Sequence, residues 1–161
     1  MRTLLLAAAA LAATPAGAKP VESLSFETGP CFGACPVYKV TVRSDGTGVF
    51  EGRRFTSVTG TRTFRLTAAQ YRAFAAHLAP LRPARGSRRL EGDACRSMAT
   101  DLPSAQIVWS RPGAAPQSLY FYFGCDMERN RALALRIETA PRLLPIARFI
   151  RDPAAPPPAG R

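Results

Sequence analysis

Cys31 and Cys35 are the residues best suited to chemistry in this chain. They stand four apart in Cys31-Phe32-Gly33-Ala34-Cys35-Pro36. Two thiols at that spacing serve as a disulfide, a soft-metal clip or a redox pair. Two thiolates suit Cu(I), and the sole histidine, His77, is the one side chain available as an imidazole ligand beside them. A thioredoxin-like redox site asks for Cys-x-x-Cys at a helix start. Here the spacing is one residue longer, and Pro36 leads into a strand-like run.

Other catalytic constellations are missing from the sequence. A single histidine without a neighbouring nucleophile or orienting carboxylate argues against a Ser/His/Asp hydrolase. There is no Gly-rich phosphate loop and no H-E-x-x-H. Glu91 and Asp93 lie close in sequence but read as solvated loop charges. The expectation is therefore a protein without an enzymatic centre, with thiol–disulfide activity as the one enzymatic reading that has support.

The compartment decides what the thiols do. Arg2 precedes an uncharged Leu/Ala run from Leu4 to Ala13, and Ala16-Gly17-Ala18 fits the small-x-small cleavage rule. Residues 1–18 read as a signal peptide, which places the protein in the periplasm or outside the cell. The run is about ten residues, half of what a membrane span needs. No cysteine follows it directly, so a lipoprotein anchor is not expected. About 140 residues then remain, enough for one domain with its own core.

That domain is basic. The full chain carries a formal charge of +11, and of its 22 cationic residues only Lys19 and Lys39 are lysine. Arg82, Arg85, Arg88, Arg89 and Arg96 gather in one stretch. No aromatic residue is interleaved with them, and export removes nucleic acid as a partner. An envelope protein or an anionic envelope surface is the kind of partner such a charge suits, while a solvated basic loop needs no partner.

Four cysteines, Cys31, Cys35, Cys95 and Cys125, allow three fully paired connectivities, and an oxidising compartment favours pairing. Cys31–Cys35 with Cys95–Cys125 is the arrangement we favour, because Gly33 gives the first pair the backbone freedom of a tight turn. In the chain-entropy model, closing the segment between Cys95 and Cys125 contributes about 3.7 kcal/mol, against about 2 kcal/mol for the short loop. The long staple is then structural, and the short one has more room for function.

The elements that carry these residues follow from periodicity. Ser23–Thr28 reads as a strand. From Val37 to Arg43, Tyr38, Val40 and Val42 alternate with polar neighbours. Asp45-Gly46 is a hairpin signal, and Gly48–Gly52 returns as its partner. Phe55–Val58 and Thr61–Leu66 read as a further strand or a pair of short ones. Thr67 with Gln70 forms a capping box, opening a helix whose stripe is Tyr71, Phe74, Ala75, Leu78 and Leu81. His77 lies beside that stripe.

Residues 82–103 read as one long loop, of a length that tends to be functional or mobile. Gln106–Ser110 and Ser118–Phe123 form a second hairpin, with Leu119, Phe121 and Phe123 inward and Tyr120 and Tyr122 outward. Asp126 is expected to cap a helix running to about Glu138. Leu143, Ile146, Ala147 and Ile150 form a last apolar stripe, and the Pro/Ala-rich tail 152–161 is expected to stay disordered. The pattern as a whole is α+β: a single domain over 19–151, an antiparallel sheet of hairpins with helices packed on one face.

Cys31-Phe32-Gly33-x-Cys35-Pro36-x-Tyr38, Ser44-Asp45-Gly46-Thr47, Glu51-Gly52 and Thr100-Asp101-Leu102-Pro103-Ser104 together resemble a bacterial family known only as a domain of unknown function. Its members are often exported or lipid-anchored. The resemblance runs from about residue 22 to residue 151 and implies an α+β domain with no known activity. Cys95 and Cys125 are not required by that family's pattern, which makes them a staple of this member and puts any shared role on Cys31 and Cys35. Over six residues, Cys-x3-Cys-Pro is also similar to the thiol motif of copper chaperones of cytochrome oxidase assembly. That resemblance implies copper held by Cys31, Cys35 and His77. The parallel β-α-β units of those chaperones do not match consecutive hairpins. The sequence therefore points first to a disulfide-stabilised, non-catalytic binding or envelope-support module without a cofactor, and second to a periplasmic Cu(I) or thiol-redox protein.

Overall fold

The computed structural model describes residues 20–151. The leader reading for 1–18 and the tail 152–161 lie outside the described residues. Seven strands form one sheet: β1 (Ser23–Thr28), β2 (Val37–Arg43), β3 (Thr47–Arg54), β4 (Gly60–Arg65), β5 (Ser87–Leu90), β6 (Ser104–Ser110) and β7 (Gln117–Tyr122). Their spatial order is β4-β3-β2-β1-β6-β7-β5. Every neighbouring pair is antiparallel except β5 with β7. Helices α1 (Ala68–Leu78), α2 (Arg131–Thr139) and α3 (Ala147–Ile150) complete the α+β domain.

The period-two pattern of each central strand decides which face the helices cover. Leu24 and Phe26 of β1, Val40 and Val42 of β2, Phe50 of β3, Ile107 of β6, and Leu119 and Phe121 of β7 all point to one side and are buried. Phe74 and Leu78 of α1, Ile137 of α2 and Phe149 of α3 meet them there. Each such side chain contributes about 1.5–3 kcal/mol on burial. The opposite face carries Ser25, Glu27, Lys39, Thr41, Glu51 and Gln106, whose side chains suit water.

Local signals account for the hairpin and the first helix. Asp45 Oδ1 accepts from the Thr47 amide at 2.9 Å and the Thr47 hydroxyl at 2.7 Å. Gly46 takes a φ of 84°, which a side chain would resist. The Thr67–Gln70 capping box is formed in both directions.

Four segments differ from the sequence reading. Phe55–Val58 is no strand. It arches over the end of β3 and donates from Ser57 and Val58 to the carbonyls of Ile150 and Phe149. Gly52 permits this, since a Cβ there would lie 1.7 Å from the Val58 carbonyl oxygen. The long basic loop contains β5, a short edge strand of arginines that gives no alternation to read. Its arginines leave the edge unattractive to further strands. α2 begins at Arg131, five residues after Asp126, because the Asp126 carboxylate turns back to the Ser97 amide at 2.9 Å. In the C-terminal segment, prolines cut the helix short. The inward residues are Leu144, Ile146 and Phe149 rather than a continuous stripe through Ala147.

Candidate functional site

The thiols sit where three strands share an end. β1 finishes at Thr28, β2 starts at Val37 and β6 starts at Ser104, all at the same edge of the sheet. The chain between β1 and β2 is the Cys31–Cys35 loop. Its cysteines are disulfide-bonded with Cα atoms 5.8 Å apart. Cys95 and Cys125 form the second bond at 5.3 Å, both within the usual span.

Two backbone bonds tie the loop to the 100–104 segment. The Phe32 amide donates to the Asp101 carbonyl at 3.0 Å, and Gly29 donates to the Ser104 carbonyl at 2.8 Å. Thr28 Oγ1 donates to the Pro36 carbonyl at 2.8 Å and accepts from the Tyr38 amide at 3.1 Å. On the other side, the Leu102 amide donates to the Tyr122 hydroxyl at 3.3 Å. Asp101 is held at a φ of 69°, rare outside glycine. The segments 31–38 and 100–104, some seventy residues apart in sequence, are thereby fused into one wall.

That wall borders an open groove of about 950 Å³. Phe26, Tyr38 and Ala105 form the part nearest the core. Cys35, Pro36, Leu102 and Pro103 line one side, and Ala134, Leu135, Ala147 and Ile150 of the helical layer line the other. The surface is mainly apolar. Leu135 and Met127 stand more than half exposed within it, at 59% and 53%. Tyr38 stacks on Phe50 at 5.3 Å, and burial pushes its phenol well above the usual range, so it stays neutral. The charged lining residues are Arg131, Arg142 and Arg151 against Glu138.

Phe32 projects from the tip of the disulfide loop at 87% exposure, followed by Gly33 at a φ of 130°.

The family described as Domain of unknown function (DUF6438) matches residues 22–141. The chain belongs to that family. No curated protein and no solved structure matches it. Within this DUF6438 domain, Asp45 and Gly46 make the β2–β3 turn at the far end of the sheet, away from the groove. Gly52 pairs with Tyr38 near the groove, while Glu51 faces the uncovered side beside Arg53 at 4.0 Å. The quoted motifs thus divide into one hairpin lock and one groove wall.

The copper trio does not converge. His77 lies in the last turn of α1, and its Nε2 lies 2.8 Å from the Arg136 carbonyl, which requires the proton on that nitrogen. Arg136 donates back to the His77 carbonyl at 3.0 Å. The imidazole therefore joins α1 to α2, and no cluster of three or more potential metal ligands occurs among the described residues. The basic stretch is also partly engaged. Arg89 lies 4.2 Å over the Tyr120 ring and pairs with Glu91, and Arg82 donates to Gln117 Oε1. Sequence reading missed the groove residues of α2 and α3. Their signal was Leu135 on an otherwise polar helical face.

Two disulfides, and no helix among the described residues long and apolar enough to cross a membrane, are compatible with a secreted or periplasmic protein.

Proposed function

We propose that this protein is an exported, non-catalytic binding module of the cell envelope whose ligand occupies the groove beside the Cys31–Cys35 loop. One observation carries the reading: a mainly apolar hollow of about 950 Å³ is walled by both of the motifs that stand out in the sequence. Pockets of this size and lining are the usual places for ligands. Arg2, the Leu/Ala run and Ala16-Gly17-Ala18 support export, with a mature chain starting at Lys19. Native mass spectrometry of protein taken from the periplasm tests both parts. The expected result is a chain lacking residues 1–18 with a non-covalent species bound, and loss of that species in Leu135→Arg. A full-length chain confined to the cytoplasm defeats the export reading; identical spectra for both proteins defeat the groove reading.

A second reading has one observation in its favour: Cys35 lines the groove, so the disulfide borders a surface that could hold a thiol substrate. Oxidation of a peptide dithiol to its disulfide, with Cys31–Cys35 reduced to two thiols in exchange and both lost in Cys31→Ala/Cys35→Ala, would promote it. Cu(I) titration of the reduced protein against a competing chelator tests the metal form. Stoichiometric uptake that vanishes in the same double variant supports copper.

A further inference from the structure

We propose that the groove takes a single-chain amphipathic anion, with a fatty acid of ten to sixteen carbons as its occupant. The inference rests on the groove reading above and names the ligand's chemistry. The lining combines two features that such a molecule matches. One is a mainly apolar lining that includes Phe123, Leu135 and Ile150 over the buried Phe26. The other is a cationic rim, three arginines against the single Glu138.

Those arginines are available. Elsewhere Arg53 pairs with Glu27, Arg89 with Glu91 and Arg111 with Glu22. Arg131, Arg142 and Arg151 enter no ion pair among the described residues, and Arg142 and Arg151 are exposed at the groove edge. A guanidinium fork matches a carboxylate in two parallel hydrogen bonds. A neutral apolar ligand would leave this excess of positive charge unused, and a cationic one would meet it as repulsion. An acyl chain fits the apolar part because the groove contains few polar groups that would be left unpaired beneath it. Two arginine positions border the groove, Arg131 at the start of α2 and Arg142 and Arg151 before and after α3. The carboxylate takes one of them and the chain lies over the apolar lining.

Calorimetry on the mature, oxidised protein tests this with twelve-carbon probes differing only in the head group: laurate, dodecyl maltoside and dodecyltrimethylammonium, each below its micelle concentration. Laurate is expected to bind tightest and the cation weakest. Across fatty acids from ten to sixteen carbons, affinity should rise about fourfold per buried methylene until the groove is filled. Either Arg131→Gln or Arg142→Gln/Arg151→Gln should weaken laurate about tenfold or more, and whichever does so gives the position of the carboxylate. Equal affinity for the three head groups, or no loss in either arginine variant, overturns the proposal. So does binding to anionic phosphatidylglycerol vesicles without binding of laurate, or a protein dimer dispersed by Leu135→Arg and untouched by laurate. Leu135 is exposed, so that variant leaves the core intact. If periplasmic protein carries a species lost in Leu135→Arg yet laurate neither binds nor displaces it, the fatty-acid inference fails and the groove reading stands. If Leu135→Arg changes nothing at all, both fail.

Discussion

Cys95–Cys125 and Cys31–Cys35 are the same covalent bond in two different settings, one within a web of hydrogen bonds and the other beneath an exposed aromatic loop. Cys125 is fully buried and bridges to Met98. Around it, Ala99 donates to the Gly124 carbonyl at 3.0 Å, Asp126 donates from its amide to the Ser97 carbonyl at 2.9 Å, and Asn130 Nδ2 donates to the Cys125 carbonyl at 2.8 Å. The Asp126 carboxylate closes the web on the Ser97 amide. Between Cys31 and Cys35 the only residue tied to the 100–104 segment by its backbone is Phe32, to Asp101, with Gly29 tied to Ser104 just before the loop, and a Cβ on Gly33 would meet nothing within 4 Å. A disulfide that joins segments 30 residues apart in sequence acts on folding. One that closes a short surface loop fixes the shape of what the loop presents.

The comparison predicts unequal losses. Cys95→Ala should cost roughly 2–4 kcal/mol, read as a lower midpoint in urea. A loss as small as that of the short pair would show that the hydrogen-bonded web holds without its staple. Peptide mapping without reduction is expected to give the same two pairs; a peptide joining Cys31 to Cys95 or Cys125 would remove the basis for treating the regions separately.

Cys31→Ala/Cys35→Ala should cost about 2 kcal/mol or less but weaken groove binding, because Cys35 and Pro36 form part of its wall. Full binding in this variant would mean the loop lock does not shape the groove.

Acid should act on the staple region through Asp126. Hydrogen bonds from the Ser97 amide, first among the causes, hold its carboxyl below the usual range. With the folded value depressed, the stabilisation is complete above the unfolded carboxyl range, about 3.9, and is lost as pH falls through the folded value. Asp126→Asn should flatten that acid limb in a pH series of melting temperatures. An unchanged limb would place the acid sensitivity elsewhere.

The smallest change in stability is expected for Phe32→Ala, within about 0.5 kcal/mol, since the ring lies 87% exposed. A larger loss would make Phe32 a packing residue and erase the contrast between the two loops.

How legible each part was depended on whether its cause is local. β1 and β2 were readable because Leu24 and Phe26, or Tyr38, Val40 and Val42, alternate with polar neighbours within one strand. The Asp45-Gly46 turn and the Thr67 cap were readable because every partner lies within three residues. β5 was not, since Ser87-Arg88-Arg89-Leu90 becomes a strand only by lying parallel to β7, a pairing made after the chain has crossed the sheet. The start of α2 was misplaced because Asp126, a good cap by sequence, has a distant amide as its partner.

The sequence by itself determined the hairpins, the first helix with its cap, the inward face of each long strand and the α+β class, because periodicity and turn chemistry act over a few residues. Only the tertiary structure decided that the 31–38 and 100–104 segments form one wall and that Leu135 and Ile150 face it across a groove. It also decided that His77 joins two helices and does not approach Cys31 and Cys35. Those juxtapositions come from the order of strands in the sheet and from the packing of the helices on it, where the partners of each residue are far away along the chain and no local pattern names them.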